Sequence, residues 1–76
     1  MTKPMSQQLF VRSSEALWGA QFRSEAARQL GIARSSVERY ADGRRAVPAR
    51  VIERLAALLV ERESELAKLI PKVVPD

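Results

Sequence analysis

Arginine is the residue with the most chemistry to offer in this chain: there are ten arginines and three lysines among 76 residues. Seven of the arginines (Arg23, Arg28, Arg34, Arg39, Arg44, Arg45 and Arg50) fall between Gln21 and Arg50, where only Glu25, Glu38 and Asp42 oppose them. That stretch carries an excess of four positive charges, equal to the formal net charge of the whole chain, and the residues after Arg50 are slightly acidic. A guanidinium is a planar fork of N–H donors that can bond a phosphate or a guanine edge bidentately. Serines at 24, 35 and 36 add short hydroxyls that both donate and accept. Other chemistry is missing. With no Cys and no His, disulfides, zinc sites and thiol or imidazole catalysis are excluded together. No nucleophile–base pair and no phosphate-cradling glycine loop can be found, so neither an enzyme nor a cofactor is expected.

Helices must position these side chains, because nothing in the chain reads as a strand. The apolar fraction of 46% suits one small globular domain. Met1 to about Ser6 reads as a flexible arm, residues 7–70 as the domain and residues 71–76 as a tail. Leu9, Phe10, Leu17 and Trp18 recur at helical spacing and predict a first helix from Gln7 to about Ala20. Ser24 reads as the N-cap of a second helix that runs through Leu30, with Glu25 suited to its positive end. Gly31 follows Leu30 directly, where a helix end calls for a left-handed residue. A third helix starts near Arg34, turns Val37 and Tyr40 inward and is closed by Ala41-Asp42-Gly43. Pro48 fits the first turn of a long last helix. In it Val51, Ile52, Leu55, Leu58, Leu59, Leu66, Leu69 and Ile70 recur until Pro71. The longest apolar run, Leu55 to Val60, is far shorter than the roughly 20 residues of a membrane span. The N-terminus has no signal-peptide core. A soluble, cytoplasmic protein is expected, as a small all-α bundle of four to five helices with a long C-terminal helix.

The stretch "FRSEAARQLGIARSSVERYADGRRAVP" has a small residue at Ala27, apolar residues on both sides of Gly31, and then Val37 and Tyr40 at fixed offsets. This pattern resembles the Cro/C1-type helix-turn-helix of phage and bacterial regulators, over about Leu17 to Leu59. The resemblance implies that the second helix of the motif, about residues 34–41, lies in the major groove of double-stranded DNA. The base-reading positions then fall on Arg34, Ser35, Glu38 and Arg39. Arginine can bond O6 and N7 of guanine together. Glu38 either accepts from a cytosine amino group or pairs with Arg34 or Arg39, and the ion pair is the preferred reading. Phosphate contacts are expected from Arg23, Ser24, Ser36, Arg44, Arg45 and Arg50. Arg50 lies in the first turn of the last helix, where a cation opposes the helix dipole unless an anion is shared there. Arg28 reads as a solvated residue, and Trp18, Phe22 and Tyr40 read as core. The chain departs from the family pattern at three places. Arg23 stands where Gln is frequent, Ala33 stands where a capping Ser, Thr or Asp is frequent, and the last helix runs on where a short fifth helix is usual. With Ala33 as cap, either the third helix is marginal until DNA orders it or a hydroxyl of Ser35 or Ser36 does the capping.

A single head reads few base pairs, so such regulators pair on a palindrome with half-sites about 10 base pairs apart. Ile52, Leu55, Leu59, Leu66 and Leu69 follow a seven-residue pattern that Arg62 interrupts. Its first half is expected on the domain's own core. Dimer contacts are assigned to Leu58, Leu59, Arg62, Leu66, Leu69, Ile70 and Val73, with Arg62 forming ion pairs across the interface. The leading expectation is a dimeric repressor on a palindromic operator, with no small-molecule ligand. The alternatives are an antitoxin or anti-CRISPR-associated autoregulator that also binds a protein, and a helical adaptor that binds only protein.

Overall fold

A computed structural model describes residues 5–74 of the chain. They form four helices and no strand: α1 (Gln7–Trp18), α2 (Arg23–Leu30), α3 (Arg34–Ala41) and α4 (Ala49–Val73). The part of the expected arm before Met5 lies outside the described residues. Ser6 caps α1, its Oγ accepting from the Leu9 N–H at 3.1 Å, and Met5 packs against the core. α1 ends two residues earlier than its pattern predicts, because Gly19 takes φ +86° and its N–H returns to Glu15 O.

The start of α2 corrects the sequence reading. Phe22, not Ser24, occupies the N-cap, no side chain caps the helix, and Ser24 is its second residue. Burial explains this: Phe22 is 2% exposed, so the aromatic ring anchors the helix start that a serine hydroxyl was expected to fix. At the other end, Gly31 is left-handed at φ 68°, ψ 36°. Its N–H bonds Arg28 O while the Ile32 N–H bonds Ala27 O, the reciprocal pair of a Schellman motif. Gly43 closes α3 in the same way, with Gly43 N–H to Tyr40 O and Arg44 N–H to Arg39 O. The chain from Ser24 to Ala41 is thus two helices and a built turn.

The core is Phe10 and Leu17 of α1, Phe22, Ala26 of α2, Val37, Tyr40 and Ala41 of α3, Val47, and Val51 and Leu55 of α4. Phe10 and Tyr40 meet edge to face at 5.7 Å. Ala26 of α2 is fully buried, and α2 packs closely on α3.

Only the first half of α4 belongs to this core. Val51 and Leu55 are buried, and Ile52, Leu58 and Leu59 are partly buried. Beyond them Leu66, Leu69, Ile70 and Val73 are half to three-quarters exposed. At 1.5 Å per residue the helix is about 37 Å long, and half of it projects from the domain. The radius of gyration, 13.9 Å, accordingly exceeds the roughly 11 Å of a compact chain this size. α4 also continues through Pro71, where the sequence pattern predicts a stop. Proline's fixed φ is helical, and near a solvated end it removes only one hydrogen bond. Val74 N–H then closes the last turn on Ile70 O.

Candidate nucleic-acid interface

α3 is held by its inward side chains. Val37 is fully buried and Tyr40 nearly so, which leaves Arg34, Ser35, Glu38 and Arg39 exposed on the remaining faces. Gln7 of α1 fixes the far end of α3, its Nε2 donating to Ala41 O at 2.6 Å. The sequence offers no sign of this tether, since a glutamine near a chain start has no periodicity to betray it.

Within α3, Arg34 Nε lies 3.5 Å from Glu38 Oε1, one helical turn apart. Both side chains are at least half exposed, so the pair contributes only a few tenths of a kcal/mol. Its effect is on orientation, narrowing where the guanidinium points. The ion pair preferred for Glu38 in the sequence reading is the one formed, with Arg34 and not Arg39. The N-terminus of α3 has Ala33 at the cap, and no side chain caps it, so neither Ser35 nor Ser36 substitutes. Ala33 O accepts from Ser36 N–H at 3.0 Å, which closes the first turn through the backbone alone.

Four of the arginines line two notches beside α3's start. One is lined by Ala20, Gln21, Arg23, Ser24 and Arg34. The other, of about 320 Å³, brings Ser36, Arg45 and Arg50 together with Tyr40 and Pro48. Ser36, Arg45 and Arg50 come from α3, the loop after it and the first turn of α4 respectively. That first turn has no acidic residue, and no side chain caps its N-terminus. Ser35, Arg39 and Arg44 are exposed outside both notches. Arg23 is half-buried because its guanidinium stacks on the Phe22 ring at 5.0 Å, a contact the sequence reading did not foresee.

Two short helices packed across a glycine turn, the second exposing polar, arginine-bearing faces, are the arrangement of a helix-turn-helix. A helix-turn-helix domain family matches residues 21–69, well over half of the chain. The chain belongs to that helix-turn-helix family. No curated protein and no solved structure matches it significantly. Within this helix-turn-helix frame α2 and α3 are the paired helices, Gly31 is the turn, and α4 lies beyond the motif.

Other arginines serve the scaffold. Arg28 pairs with Glu25 on α2, and Gln29 donates to the same carboxylate at 3.0 Å. Those two hydrogen bonds, with Arg28's the larger, hold the Glu25 carboxyl below the usual carboxylate range. Arg54 of α4 donates to Gln29 O at 3.4 Å, and Arg62 donates to Leu17 O at 3.0 Å. Each brings a cation to the carbonyl end of a helix, which the helix dipole favours. The Arg62 guanidinium is thus turned onto the end of its own α1. Leu58 and Leu59 likewise pack partly on the chain's own core, leaving Leu66, Leu69, Ile70 and Val73 as the exposed members of the expected interface. Among the described residues no group of three acidic, His or Cys side chains is placed to hold a metal ion. No described helix is long and apolar enough to cross a membrane.

Proposed function

We propose that this protein is a non-enzymatic, sequence-specific binder of double-stranded DNA that acts as a dimeric repressor on a palindromic operator. The observation that carries the reading is α3: an arginine-bearing helix whose buried Val37 and Tyr40 leave its polar faces free, with basic notches flanking its start. In this reading α3 enters the major groove. Arg34, Ser35 and Arg39 meet base edges, and Glu38 orients Arg34. Arg23 and Ser24 on one side, and Ser36, Arg44, Arg45 and Arg50 on the other, meet phosphates of the two flanking strands. An anion at the notch formed by Arg45, Arg50 and the uncapped α4 N-terminus would satisfy the helix dipole and both guanidinia together. The DNA also answers the missing cap of α3, since the first N–H groups of that helix are left without a side-chain partner.

The test is binding to a palindrome from the protein's own promoter against random duplex, over a salt series. Specific binding with a steep salt slope is expected. Equal, weak binding to both duplexes would remove the operator reading, and no binding to either would leave the protein-binding adaptor.

A further inference from the structure

We infer that the free half of α4 is covered by the same segment of a second copy, running antiparallel, with Leu66 of one copy packed on Leu69 of the other and Glu65 facing Lys72. The inference rests on the dimeric part of the proposed function and is independent of DNA.

Three observations carry it. The first is continuity. The heptad stripe of Ile52, Leu55 and Leu59 is packed on the domain's own core and then runs on as Leu66, Leu69 and Val73, which are half to three-quarters exposed among the described residues. An open groove of about 600 Å³ lies beside the stripe, between Leu66 and Ile70 of α4 and the end of α1. Pro71, which would disturb a helix contact, sits on the face opposite the stripe.

The second is the order of charge. Glu61, Glu63 and Glu65 precede Lys68 and Lys72 along the segment. An antiparallel mate sets acids against bases, whereas a parallel mate in register sets Glu65 beside Ile70 and offers Lys72 no acid. A parallel pair would also place Arg62 of one copy opposite Arg62 of the other inside the stripe, while an antiparallel pair places it opposite Val73.

The third is register. The residues flanking the stripe on one side are Glu65 and Lys72, seven apart. With Leu66 opposite Leu69, each Glu65 meets a Lys72 of the mate, twice by symmetry. Sliding one heptad toward the domain sets Glu65 against Glu65 and Glu63 against Glu63. Sliding one heptad the other way sets Lys72 against Lys72. Of these three registers only the first is free of like-charge contacts. The overlap is about three turns, less than the roughly 800 Å² per partner of a standard interface, so the pair is weak alone and DNA reinforces it.

Sedimentation equilibrium of the full chain without DNA tests this, comparing wild type, Glu65→Lys, Lys72→Glu and the double exchange, with helicity checked by circular dichroism. These are exposed positions, so all four should fold. Each single reversal should weaken self-association about fivefold or more, since two facing pairs turn repulsive. The double exchange should return to within about twofold of wild type, and the two single variants mixed should form a heterodimer. A wild type that stays monomeric, single variants equal to wild type (the parallel result, where Glu65 would face Ile70), or a double exchange as weak as the singles would each overturn the inference. Binding of wild type to the promoter duplex is measured alongside. Self-association without DNA binding counts against the function proposed above, and DNA binding without self-association counts against this one.

Discussion

Arg39 and Arg44 sit five residues apart, both exposed, yet the proposed function gives them different work. Arg39 belongs to α3, and Arg44 to the loop just past its Schellman closure. Arg39→Ala should cost about 1–3 kcal/mol on the operator and erase its preference over random duplex. Arg44→Ala should weaken all duplexes alike and lower the salt slope by about one. Competition binding at two salt concentrations separates the two, and equal behaviour would remove the division between readers and clamps. In the core, Ser14 Oγ is fully buried with no hydrogen-bond partner. Its hydroxyl loses water and gains nothing, so Ser14→Ala should raise unfolding stability by about 1 kcal/mol in urea denaturation. A loss on that substitution would mean the hydroxyl has a use that its surroundings do not reveal.

At the scale of elements, the two Schellman closures differ in their surroundings. A Cβ at Gly31 would meet nothing within 4 Å, so Gly31→Ala pays only for the left-handed backbone, about 1 kcal/mol. A Cβ at Gly43 would lie 2.6 Å from Gln7 Oε1 and push away the side chain that tethers Ala41 O. Gly43→Ala should therefore cost more than Gly31→Ala, and the excess should vanish in a Gln7→Ala background, as measured by thermal unfolding of the four variants. On α2 the titration of Glu25 is shifted. Glu25's folded pKa is lowered, so its contribution is complete above the ordinary carboxylate range and is lost as pH falls through the lowered value. Stability measured against pH should lose part of its acid limb in Glu25→Gln. The effect should be small, because the group is solvated.

For the molecule as a whole, the projection of α4 makes stability uneven along one helix. Amide exchange in the monomer should be slow up to about Leu59 and fast beyond it, because the second half has no packing to hold it. Raising the protein concentration should extend protection toward Val73 if a second copy covers the stripe, and exchange that does not respond to concentration would argue for a bare helix.

The amino-acid pattern alone was enough for the all-helical class, the turn at Gly31, the inward Val37 and Tyr40 and the basic middle of the chain, while it left the helix count at four to five. These depend on spacing, on glycine's access to left-handed backbone and on charge, all of which are local. What only the folded chain decided are contacts between residues far apart in sequence. Phe22, not Ser24, starts α2, because burying an aromatic ring outweighs one capping hydrogen bond. Gln7 reaches Ala41, and Arg62 reaches Leu17. Arg45 and Arg50 converge with Ser36 because the loop after α3 folds back toward the start of α4. α4 passes through Pro71 because a solvated last turn gives up little at proline. Spacing along a chain predicts which face a side chain takes on its own helix. Which other element meets that face is settled by packing the helices on one core.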